Sequence, residues 1–132
     1  MDRRELVRRM VLNAICDDFE NVDQIILPVV AEDCGKLGFI VERSEIVGAL
    51  TRLVEDGLAK AYDLHNLPNG DPFSGELGNM PSLDQVEEYF KTYFYITKKG
   101  MDFHTSDDMW WPFHDNGERR PNWHLDERPI SD

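Results

Sequence analysis

The stretch from Ser44 to Leu64, SEIVGALTRLVEDGLAKAYDL, constrains the fold more than any other part of the chain. Ile46, Val47, Ala49, Leu50, Leu53 and Val54 recur at helical spacing, which predicts a helix from Glu45 to about Asp56 with one buried stripe. Ser44 is placed to cap its amino terminus, and Glu45 sits where the helix dipole favours a negative charge. Gly57 supplies the left-handed residue that ends the helix. From Leu58 to Leu64 the period changes to two, with Leu58, Lys60, Tyr62 and Leu64 on one side, and the segment reads as a strand. The outward face is mixed in charge: Glu42, Glu45, Glu55, Asp56 and Asp63 stand against Arg43, Arg52 and Lys60.

Two further helices precede this segment. In DRRELVRRMVLNAICDDF, Leu6, Val7, Met10, Val11, Ala14 and Ile15 form a wide apolar stripe opposite Arg4, Glu5 and Arg8. Arg3, Arg4, Arg8 and Arg9 make it the one locally basic helix, which either grips phosphate or is an ordinary solvated face. Asn21, followed three residues later by Gln24, forms a capping box, with Asp23 in the first turn. Ile25, Ile26, Val29, Val30 and Cys34 continue that helix; Pro28 must kink or split it, and Gly35 and Gly38 supply stops. FIVER, ending at Arg43, reads as a β-prone connector.

Downstream, the Pro-, Gly- and Asn-rich run from His65 to Met80 reads as a loop. Ser82 and Gln85 form a second capping box, opening a short helix with Leu83, Val86 and Phe90 inward. Tyr93, Phe94, Tyr95 and Ile96 make a second strand, and Thr97 caps a final short helix. The remainder has no period, and its aromatic residues are too costly to leave in water.

With 132 residues, 41% hydrophobic and 30% charged, the chain fits one globular domain with a real core. The longest apolar run, IILPVVA, is far shorter than a membrane span. MDRREL lacks the apolar stretch of a secretory signal, so the chain reads as cytoplasmic, with Cys16 and Cys34 as reduced core thiols. A net charge of −12 opposes long-range attraction to nucleic acid or an anionic membrane.

The order of these elements, carried by EIVGALTRLVEDGLAKAY and YFYITKKGMDF, resembles the winged helix-turn-helix domain of transcription regulators, particularly the PadR-like and MarR-like families. The likeness covers roughly residues 4–104. It implies an α+β winged helix with a three-helix core and a two-stranded wing; the wing loop here is unusually long and reads as holding its own helix, and the likeness leaves the aromatic-rich C-terminal tail unexplained. The domain would span 1–106, and an irregular tail over 107–132 would pack on it or on a dimer partner. The resemblance further implies that Arg43, Glu45, Gly48, Thr51, Arg52 and Glu55 form the DNA-reading or partner-facing surface of the third helix. Base readout favours Arg or Lys on guanine and Asn or Gln on adenine, and only Arg43 and Arg52 qualify. Arg4, Arg8, Lys98 and Lys99 are the candidates for phosphate contact, whereas the wing sets Asp71, Glu76, Asp84, Glu87 and Glu88 against Lys91.

Trp110, Trp111, Phe113 and Trp123 either complete the core or form a dimer or partner patch. His104, His114 and His124 recur near Asp107, Asp108 and Asp115, but their spacing places them on no common helical face, and they read as surface histidines rather than metal ligands. Nucleophile-elbow, zincin and phosphate-loop motifs are missing, so neither catalysis nor a cofactor is expected. The reading is a non-enzymatic regulatory or adaptor protein that contacts a protein partner or a second copy, through the extended acidic wing region and the aromatic tail. A DNA-binding transcription regulator is the alternative, disfavoured by charge.

Overall fold

Helix α1 (Arg3–Ala14) opens the chain and is capped by Asp2, whose carboxylate accepts from the Glu5 amide at 2.8 Å. A computed structural model describes residues 1–65, 67, 69–83 and 90–126. After α1 come β1 (Glu20–Asn21), a π-helical turn (Val22–Ile26), α2 (Leu27–Lys36) and α3 (Arg43–Glu55). The second half holds β2 (Ala59–Asp63), a 3-10 turn (Pro72–Gly75), β3 (Thr92–Ile96) and α4 (Lys98–Thr105). The architecture is α+β, with an antiparallel sheet in the order β1-β3-β2. No helix among the described residues is long and apolar enough to cross a membrane.

The stripes expected from helical spacing meet in one core. Leu6, Val7, Met10 and Val11 of α1 pack with Ile46, Ala49, Leu50 and Leu53 of α3, and Phe94 at the centre of β3 is fully buried beneath them. Asn21 caps as expected, accepting from the Gln24 amide at 3.0 Å, while its own amide donates to the Gln24 side chain at 2.8 Å. Pro28 splits the segment. The residues before it wind into the π-helical turn, and the proline falls in the first turn of α2, where its missing N–H breaks no bond.

Several expectations are corrected. Ser44 is not the cap of α3: the helix starts at Arg43, with the Glu42 carbonyl accepting from Glu45 and Ile46. Arg43 is drawn into that first turn by its ion pair with Asp23, and Ser44 is left exposed. The β-prone connector forms no strand. The sheet has a third strand, β1, of two residues, pairing Glu20 with Phe94 and Asn21 with Tyr93. So short a strand shows no period, and its pairing depends wholly on β3.

The long β2–β3 loop does not project as a free wing. Phe73 lies among Phe19, Tyr62 and Tyr95 on the outer face of the sheet, with ring centroids 5.2, 6.0 and 5.8 Å away. Leu77 donates to the Ala61 carbonyl at 2.8 Å, and Glu76 pairs with Lys60 at 2.9 Å. Gly75 permits this return, because a Cβ there would overlap the Asp63 carbonyl. The helix expected around Ser82 and Phe90 falls largely on 84–89, outside the described residues.

The described part of the tail is irregular apart from turns and one isolated bridge. Phe113 bridges Arg119 across a tight turn at Gly117, whose φ is +87. Trp110 and Trp123 join the same core as Leu6 and Leu50, and the Trp123 indole donates to the Trp110 carbonyl at 2.7 Å. The aromatic patch expected at an interface is therefore covered within the chain at Trp110, Phe113 and Trp123, while Trp111 is half-buried.

Two predictions follow from this packing. A methyl group on Gly100 would overlap the Leu58 carbonyl and crowd the Ile96 side chain. Gly100→Ala should therefore cost about 1–3 kcal/mol in urea unfolding, the usual range for overpacking. Cys16 and Cys34 are free thiols, and burial pushes the Cys34 thiol up to about 12. At pH 8, iodoacetamide should modify half-buried Cys16 before Cys34, which reacts only on unfolding; mass spectrometry reads the order.

Candidate interaction surface

Helix α3 presents Ser44, Val47, Gly48, Thr51, Arg52 and Glu55 away from the core stripe. Its charged residues are largely occupied by other parts of the same chain. Arg43 forms a two-pronged pair with Asp23 in the π-helical turn, at 2.8 and 3.1 Å. Glu45 receives both prongs of Arg3, at 2.7 and 3.2 Å, so α3 is tied to α1. Arg3 also donates to the Ile40 carbonyl at 2.7 Å and lies 4.5 Å above the Phe39 ring. Thr51 turns its hydroxyl back to the Val47 carbonyl at 2.9 Å. Arg52 lies over Gly48, its Nη1 3.6 Å from where a Cβ would stand, and is engaged within the chain; Glu55 is exposed.

The candidate phosphate contacts are similarly arranged. Arg8 pairs with Glu5 at 3.1 Å and with Asp56 at 3.2 Å, joining α1 to the end of α3. Lys99 donates to the Asp56 backbone carbonyl at 2.8 Å. Arg4 is exposed yet also engaged within the chain, and Lys98 is exposed at the start of α4. Arg9 pairs with Glu5 at 2.9 Å and lies 4.5 Å over Phe103. The structure thus holds Arg3 on Glu45 and Arg8 on Glu5 and Asp56, as separate ion pairs between α1 and the two ends of α3 and not as an open basic patch.

A second feature went unread in the sequence. A cavity of about 710 Å³ lies between the end of α1, the end of α4 and the folded tail, lined in part by Asn13, His104, Asp108, Trp111, Asp115 and Arg120. Burial, with a smaller contribution from Arg9, lowers the His104 pKa and favours the neutral imidazole. His104 is half-buried, 6.2 Å from the Trp110 ring, whereas His114 and His124 are exposed. Among the described residues, no three His, Cys, Asp or Glu side chains converge in a way that could hold a metal ion. The sequence signal was the interleaving of aromatic, acidic and histidine residues in a tail without period. Only the turn at Gly117 draws them into one wall.

The sequence matches no protein-family model, and neither curated proteins nor solved structures give a match.

The Arg3–Glu45 ion pair makes a prediction of its own. A double-mutant cycle of Arg3→Ala and Glu45→Ala should give a coupling of about 0.2–1 kcal/mol, as partly exposed pairs do. The coupling should shrink in high salt, when unfolding is followed in urea.

Proposed function

We propose that this protein is a winged-helix regulatory or adaptor domain, non-enzymatic, that works by binding another protein through the outward surface of α2 and α3. The order of elements supports the winged-helix reading: helices α1 to α3, then two antiparallel strands joined by a long loop, then a final helix. One observation carries the choice of a protein partner over DNA. Arg3, Arg8, Arg9 and Arg43 are each closed onto carboxylates of the same chain.

Affinity for nucleic acid rests chiefly on Lys and Arg replacing counterions along phosphates. Here those cations would first have to leave their carboxylates, in a molecule whose net charge of −12 already repels the ligand. A protein surface makes no such demand. Glu55 provides a polar contact, and the exposed Ile25, Val29 and Ile40 provide apolar ones in the π-helical turn, α2 and the connector after it. The β2–β3 loop and the tail, which the sequence suggested as partner surfaces, are engaged on their own domain. The contact surface accordingly shifts to the helices.

A gel-retardation assay with random-sequence DNA at low salt tests this. No retardation is expected at micromolar protein. Micromolar retardation that fades steeply with salt and is lost in Arg52→Ala would establish the DNA-binding alternative. A photo-crosslinking residue at Thr51 should meanwhile give a protein adduct of discrete mass in cells, abolished by Glu55→Lys.

A further inference from the structure

We propose that the cavity walled by Trp110, Trp111 and Phe113 binds a small organic cation with a compact alkylammonium head. The inference is independent of what α3 contacts. The volume, about 710 Å³, falls within the range of small-ligand sites, which combine apolar walls with a few convergent polar groups.

The walls come from three rings set edge to face: Trp110 and Trp111 at 5.2 Å, and Trp111 and Phe113 at 5.7 Å. Trp110 and Phe113 are buried, which holds the assembly rigid, and half-exposed Trp111 offers its ring to the opening. Two of these rings already receive a cation of the chain: Arg9 lies 6.0 Å from the Trp110 ring and the Lys36 ammonium 5.6 Å from the Phe113 ring. Aromatic faces attract cations through their quadrupole, more strongly as water is excluded.

The polar lining supplies the charge. Glu5, Asp23, Glu45, Asp56 and Glu76 are matched to basic side chains, whereas the exposed carboxylates of Glu42 and Glu55 form no such pair among the described residues. Around the cavity, Asn13, Asp108 and Asp115 have side chains with no hydrogen bond or ion pair among the described residues. Arg120, the one strong base in the lining, is turned to other partners. Its Nη1 donates to the Trp111 carbonyl at 2.9 Å and to the Met109 carbonyl at 3.4 Å. Its Nη2 faces the Met109 sulfur at 3.4 Å. The groups left to meet a ligand are thus two carboxylates, an amide, the imidazoles of His104 and His114 and an aromatic face. The carboxylates and the aromatic face suit a positive charge carried on alkyl groups, and the Arg120 guanidinium is turned toward the backbone of Met109 and Trp111.

Choline and its uncharged isostere 3,3-dimethylbutan-1-ol distinguish charge recognition from plain apolar filling. Each is titrated at constant ionic strength into the full-length, isotope-labelled protein while the indole N–H signals of Trp110 and Trp111 are followed. Choline should give a saturable shift, with the isostere at least about tenfold weaker, a ratio worth about 1.4 kcal/mol. The paired substitution Asp108→Asn and Asp115→Asn, at exposed positions, should preserve signal dispersion and weaken choline several-fold. Trp111→Leu should do the same. Should Trp111→Leu fail to fold, the asparagine variant alone decides. Equal binding of the isostere, tighter binding of benzoate, no saturable shift with choline, or unchanged choline binding in the asparagine variant would each overturn the proposal.

Discussion

The junction at Gly57 holds the two halves of this molecule together. There α3 ends in a left-handed glycine with a φ of +75, and the Leu58 amide reaches back to the Leu53 carbonyl at 2.9 Å. The start of α4 closes over the same turn. The Thr97 amide and hydroxyl donate to the carbonyls of Leu58 and Gly57, and the Lys99 ammonium to that of Asp56. Carbonyls that a helix end leaves without partners are thereby satisfied from a distant part of the chain. Gly100 lets α4 come close enough to do this. The direction of β2, and with it the sheet over the core, follows from that clamp.

A second constraint is electrostatic. The chain is strongly acidic, yet its arginines are concentrated in α1 and at the start of α3, where carboxylates of neighbouring elements meet them. Arg3 with Glu45, Arg8 with Asp56, and Arg43 with Asp23 each join separate elements across the surface. Each pair is partly exposed and contributes modestly to stability. They also close onto carboxylates the arginines that the residue types by themselves suggest as a basic surface. Beside the tail, the cavity carboxylates of Asp108 and Asp115 form no ion pair among the described residues.

The parts that were legible in the sequence were those with a strong period or a local signature. The stripe of α3, the glycine stop, the Asn21 capping box and the Thr97 cap are decided by residues within a few positions of each other. The proline in the second helix announced a break, and the π-helical turn before it is the form that break takes. The start of α3 was misplaced by the Ser44 signal because a contact from Asp23, twenty residues earlier, outweighed a local cap. The cavity was illegible for a similar reason. Its aromatic and acidic residues are visible, but what brings His104 of α4 opposite Asp115 of the tail is a turn stabilised by the rest of the domain.

By itself, then, the sequence determined the stripes of α1 and α3, the strands β2 and β3 and the acidic balance, since spacing, caps and charge are properties of the chain before it folds. The tertiary structure decided that Glu20 and Asn21 become a strand, that Phe73 and Leu77 of the loop return to the sheet, and that Trp110 and Trp123 of the tail belong to the core. It also decided which charges remain available. An ion pair or a cavity wall is made of residues far apart in the chain, and their distance exists only once the core has brought them together.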